Sequence, residues 1–139
     1  MARRETSENN ELLLQDHLSD SVLGTYYRTP DTAERQTYIN KQRKRVGKKY
    51  VDNSVANRIV HGKKIITGIR EGDYERKVGD EYVPFSSDPQ AENYFEGWRD
   101  WMEVNCADVL TMLAVRVFEM PVTLTRPDED DPEEDIEKE

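Results

Sequence analysis

A single cysteine, Cys106, stands in 139 residues. No intrachain disulfide can form, and no thiolate cluster can hold zinc. Histidine is nearly as scarce: His17 and His61 stand at unrelated positions, with no triad-like or metal-ligand spacing, and both read as surface or turn residues. The chain has no GxxxxGK[ST], GxGxxG or HExxH, so nucleotide cradles and zincin chemistry lack their residues. Long apolar runs are missing too. Leu12-Leu13-Leu14 is too short for the core of a signal peptide, and nothing approaches the roughly 18–20 apolar residues that cross a bilayer. Cys106, next to Asn105 and close to Asp108, reads as a small buried apolar residue rather than a nucleophile. These absences point to a non-enzymatic, cytoplasmic protein without cofactor, metal or membrane association.

What the chain does have is charge. Charged residues make up 35% and apolar residues another 35%, a thin core under a heavily charged surface. The formal net charge of −9 is unevenly spread. Residues 128–139, DEDDPEEDIEKE, hold nine acids and one lysine, and the rest of the chain is close to neutral. Residues 28–77 carry 14 Lys and Arg against 6 Asp and Glu. A basic middle thus faces an acidic tail of equal and opposite charge.

Residues 1–26 are polar apart from the three leucines and read as a flexible arm, with at most one short helix or strand around 11–23. Thr29-Pro30-Asp31 is a helix start: Thr29 can cap, proline suits the first helical position, and Asp31 or Glu34 complements the dipole. The helix is expected to reach about Val46. Beyond it Val51, Val55, Ile59 and Val60 keep helical spacing, and His61-Gly62 is a plausible stop. Ile65 to Ile69 is the clearest strand. Glu71-Gly72-Asp73 and Gly79-Asp80 are turn signals, and Tyr82-Val83-Pro84-Phe85 reads as the return strand, so 64–86 forms one hairpin with a charged tip. Ser86-Ser87-Asp88-Pro89 repeats the cap-then-proline signal. From there Tyr94, Phe95, Trp98, Trp101, Met102, Val109, Leu110, Leu113 and Val117 mark a helical stripe, which Asn105 to Asp108 can break in two.

The expected fold is α+β and mostly helical: an N-terminal helix, one β-hairpin, a C-terminal helix or helix pair, and a disordered acidic tail. In domain terms it is a flexible arm over 1–26, a single domain over 27–121 and a disordered segment over 122–139.

Two segments are candidate sites. Lys41, Arg43, Lys44, Arg45, Lys48 and Lys49 place six cations in nine residues. On a helix they form a basic stripe able to neutralise several phosphates, against the plainer reading of a solvated face. Tyr94, Phe95, Trp98, Trp101 and Met102 are core anchors in the plainer reading and a protein-docking face in the other, since interfaces favour these residue types.

Tyr27-Arg28-Thr29-Pro30-Asp31-Thr32-Ala33-Glu34-Arg35, then Ile65 to Ile69, then Val83-Pro84-Phe85-Ser86 form an ordered set. Over about 27–120 this set resembles the tail assembly chaperones of long-tailed bacteriophages. There the hairpin often carries G-W in its first strand and G-D/E-x-V-P-F-S in its second. Here Ile69 stands in place of that tryptophan, and Gly79-Asp80-Glu81-Tyr82 precede Val83. The resemblance implies an assembly factor in the host-cell cytoplasm that binds the tape-measure protein, recruits tail-tube subunits and tends to self-associate. The alternatives are a small phage-type nucleic-acid-binding or regulatory protein using 41–49, or a virion component such as a head–tail connector.

Overall fold

The computed structural model of the chain describes residues 3–4 and 10–125. Within the segment expected as an arm, residues 10–26 are folded. Strands β1 (Asn10–Asp16) and β2 (Ser21–Tyr27) form an antiparallel hairpin, and β2 also pairs with β5 (Ile66–Ile69), giving the sheet order β1-β2-β5. Alternation sets its faces. Leu12, Leu14, Leu23 and Ile69 turn inward on the core, while Leu13, Val22 and Tyr26 take the other face.

Helix α1 (Thr32–Asn40) begins two residues later than the cap signal indicates. Asp31, not Thr29, is the N-cap: its carboxylate accepts from the Glu34 amide at 2.8 Å, and Glu34 answers the Asp31 amide. That capping box satisfies two donors reciprocally. The Glu34 carboxylate also takes both guanidinium nitrogens of Arg28 at 2.7 Å, which holds it below the usual carboxylate range.

The largest departure follows. The expected basic helix is a two-stranded ribbon, β3 (Arg43–Val46) and β4 (Lys49–Asp52). Gly47, at φ +64°, starts a two-residue turn of the kind whose twist suits a hairpin. The base is clamped: Asn53 donates from its amide to the Gln42 carbonyl and from its side chain to the Lys41 carbonyl. Asn57, buried, donates to the Tyr38 carbonyl and the Gln42 side chain, both at 2.9 Å. Those bonds stop α1 at Asn40, and helix α2 (Ser54–Ile65) restarts beyond the ribbon.

The expected 64–86 hairpin also resolves differently. Apolar Ile66–Ile69 goes into the sheet beside β2, where Ile66 and Ile69 are buried. The charged stretch beyond it makes its own ribbon, β6 (Glu75–Val78) with β7 (Glu81–Pro84), turning at Gly79. No helix starts at Pro89. Residues 88–97 are turns, and the helices are α3 (Trp98–Asn105) and α4 (Ala107–Ala114), followed by a wider, π-type turn over Val115–Glu119. The break falls at Cys106, inside the Asn105–Asp108 interval that the sequence marks.

The described residues are 36% helical and 31% strand, with four helices and seven strands in three small sheets. The fold is α+β but not mostly helical. The core lies between the inner face of the β1-β2-β5 sheet and helices α2, α3 and α4, around Ile65, Ile66, Met102, Leu110 and Leu113. Residues 126–139, which include most of the expected disordered tail, lie outside the described residues.

Candidate functional site

Ser86 and Ser87 join the β6–β7 ribbon to the sheet. The Ser87 hydroxyl accepts the Ile69 amide at 3.0 Å, and buried Ser86 exchanges backbone bonds with Asn93 and Phe95. The Val83-Pro84-Phe85-Ser86 motif is therefore a joint, as are its companions: the Arg28 amide donates to the Ile65 carbonyl at 3.0 Å. All three segments that carry the resemblance meet around β2, β5 and the start of α1, where they shape architecture.

The aromatic segment is drawn into that joint. Phe85 sits edge-on to Phe95 and Trp101, with ring centroids 5.6 and 4.8 Å away. Trp98 is only 3% exposed and Met102 fully buried. The Arg76 guanidinium lies 4.4 Å over the Phe95 ring, and that of Arg99 lies 4.6 Å over Trp98. Of the five residues offered as a docking face, Tyr94 is exposed, Phe95 and Trp101 are half-buried, and Trp98 and Met102 are buried. Phe95, Trp98, Trp101 and Met102 belong to the core cluster or pack against it.

His61 is likewise interior rather than a surface or turn residue. Its Nδ1 lies 3.0 Å from the Asn57 carbonyl and so carries the proton. Its ring meets Tyr38 and Phe118 edge-on. Burial lowers its pKa. Tyr38 stacks on Phe118 and hydrogen-bonds Glu119, with burial and that carboxylate raising its pKa to about 12. Glu119 is also held by Arg58 at 2.8 and 3.0 Å. This cluster ties the end of the last helical segment to α1 and α2 and is closed by its own partners. Burial pushes the Cys106 thiol up to about 11, so it is protonated at neutral pH.

Two open surfaces bear on function. The first is a groove of about 500 Å³ between the turn joining β1 to β2 and the start of α4. Leu14, Leu23, Val109 and Met112 line it, Leu18 stands beside it 93% exposed, and Asp16 and Asp108 are on its rim. Hydrogen bonds from Ser19 and the Leu18 amide lower the Asp16 pKa, which keeps that rim charge ionised. No sequence signal marked the groove, because its walls are far apart in the chain.

The second is the β3–β4 ribbon, on which all eight strand residues are exposed. Register divides them: Arg43, Arg45, Tyr50 and Asp52 take one face, and Lys44, Val46, Lys49 and Val51 the other. Lys48 stands in the turn between the strands. Of the six cations picked out by sequence, Arg43, Lys44, Arg45, Lys48 and Lys49 are together on a projecting ribbon instead of a helix stripe, and Lys41 stands at the C-cap of α1. None of them forms a salt bridge among the described residues. No group of three or more potential metal ligands occurs among the described residues, and none of their helices is long and apolar enough to cross a membrane. Comparison with known protein families, curated proteins and solved structures found no match to the chain.

Proposed function

We propose that the chain is a protein-binding assembly factor of the tail-assembly-chaperone kind, acting without catalysis in the cytoplasm of a phage-infected or lysogenic cell. The observation that carries this reading is the groove bounded by Leu14, Leu18, Leu23, Val109 and Met112. A largely apolar floor with carboxylates on its rim suits one apolar face of a partner helix flanked by basic residues. A tape-measure-type protein is a long helical chain with such stripes, and it needs them covered before assembly. Leu18 and Met112, 93% and 51% exposed, supply contact area that the monomer leaves in water. The converging joint segments that resemble the chaperones support the same reading as a shared framework.

The test is capture by the tagged chain from the native source during phage or prophage induction, with the wild type beside a Leu18→Asp/Met112→Asp variant. The expected result is a very long helical protein or a tail-tube subunit recovered by the wild type and lost by the variant, with unchanged circular dichroism. Equal recovery by both, or recovery of neither protein by the wild type, overturns the proposal.

A further inference from the structure

The groove leaves the basic ribbon unused. In β3–β4 a chain with a formal charge of −9 builds a projecting basic finger. At ~3.3 Å per residue the four-residue strands extend about 13 Å, further than the ~8 Å over which charges are felt at physiological salt. At physiological salt the tip is thus electrostatically separate from the acids of the described residues outside the ribbon, and the one acid on its strands, Asp52, lies at the base opposite Arg43.

The cations are not confined to one side. Arg43 and Arg45 extend from one face, Lys44 and Lys49 from the other, and Lys48 from the tip. A flat acidic protein surface engages one face of such a finger and leaves the other in water. A double-helix groove has a phosphate strand on each wall and meets both. Two strands ~4.8 Å apart, with side chains on both faces, fit the B-DNA major groove, about 12 Å wide and 8.5 Å deep. The A-form RNA major groove is too narrow for side chains to read.

We infer that the β3–β4 ribbon is a binding site for double-stranded DNA, entering the major groove tip first with Arg43/Arg45 and Lys44/Lys49 on opposite phosphate walls. The contact is mainly to phosphate, so sequence preference is weak. This inference is independent of the groove between β1–β2 and α4, and it can fail without touching that reading.

The test is fluorescence polarisation of the full chain with a labelled 24-base-pair DNA duplex, the same sequence as an RNA duplex, and poly-glutamate as competitor. With about four phosphates neutralised, the DNA affinity falls roughly 150-fold between 50 and 200 mM salt. Replacing Arg43, Lys44, Arg45, Lys48 and Lys49 with glutamine abolishes binding at 50 mM and leaves the melting temperature unchanged, since every one of these side chains is in solvent. Arg43→Gln/Arg45→Gln and Lys44→Gln/Lys49→Gln each weaken binding about tenfold or more. The inference is overturned if the wild type binds no duplex, or if the five-glutamine variant binds as the wild type does. Dependence on one face alone, RNA bound as tightly as DNA, or displacement of the duplex by equimolar poly-glutamate overturns it too; the last result points to an acidic protein partner.

Discussion

Replacing Gly62 with alanine tests how closely α2 approaches α4. In an isolated helix the change is favourable by about 1 kcal/mol. Here a Cβ on Gly62 would lie 2.2 Å from the Leu110 carbonyl oxygen and 2.8 Å from its carbon. Both are backbone atoms of α4, so no rotamer relieves the clash and the helices must separate. Ile65, Leu110, Leu113 and Ala114, all fully buried, surround that contact. A gap of ~0.5–1 Å forfeits a quarter to a half of the dispersion attraction across it, and overpacking of this kind costs about 1–3 kcal/mol or more. A 2.2 Å approach to backbone puts the cost at the ~3 kcal/mol end of that range, so after the helix-propensity gain of about 1 kcal/mol the net destabilisation is roughly 2 kcal/mol, a large share of a domain's typical ~5–15 kcal/mol. Urea unfolding followed by circular dichroism reads this directly. With a slope near ~1.5 kcal/mol/M the midpoint falls by about 1.3 M. A midpoint equal to or above that of the wild type would refute the close approach and the α2–α4 packing built on it.

Three further outcomes follow from the same packing and charge. Trp98→Ala removes a buried ring and costs about 3–5 kcal/mol, whereas Tyr50→Ala on the ribbon, at a site 67% exposed, stays within ~0.5 kcal/mol. A Trp98→Ala protein that melts with the wild type would return this residue to the surface. His61 has its folded pKa below the ordinary 6.5, so the unfolded chain takes up that proton first, and the part of stability tied to neutral His61 is full above pH 6.5 and fades as pH falls below it. The stability difference between wild type and His61→Asn should therefore shrink from pH 7.5 to pH 5, and a constant difference would sink the assignment. Deleting 128–139 removes a segment of nine acids and one lysine. Duplex DNA affinity should rise several-fold at 50 mM salt and converge with the full chain at 300 mM; equal affinities at 50 mM would show that the tail does not oppose the ribbon.

Local signals were legible where neighbours in sequence set the outcome. The capped start near Pro30, the strand read over Ile65 to Ile69 (of which Ile65 closes α2), the turns at Gly72 and Gly79 and the break near Cys106 all come from chemistry within a few residues. Arg-Lys-Arg-Val-Gly-Lys-Lys-Tyr-Val was read as helix because its valines keep helical spacing with those of α2. What opposed that reading was Asn53 and Asn57 reaching back to the carbonyls of Lys41, Gln42 and Tyr38, pairings that periodicity does not register. Gly62, read as punctuation, is instead a contact residue, because its partner Leu110 lies 48 positions away.

By itself the sequence determined the lack of an intrachain disulfide and of a zinc-thiolate cluster, the separation of a basic middle from an acidic end, and the six cations of 41–49. Those follow from residue identity and short-range order. Tertiary structure decided which apolar residues are core and which are surface: it buried Trp98 and Met102 behind the Phe85 joint, left Leu18 and Met112 beside an open groove, and stood five of those cations on a two-faced ribbon. The physical reason is that burial and strand pairing depend on segments far apart in the chain, and no local pattern records which of them will meet.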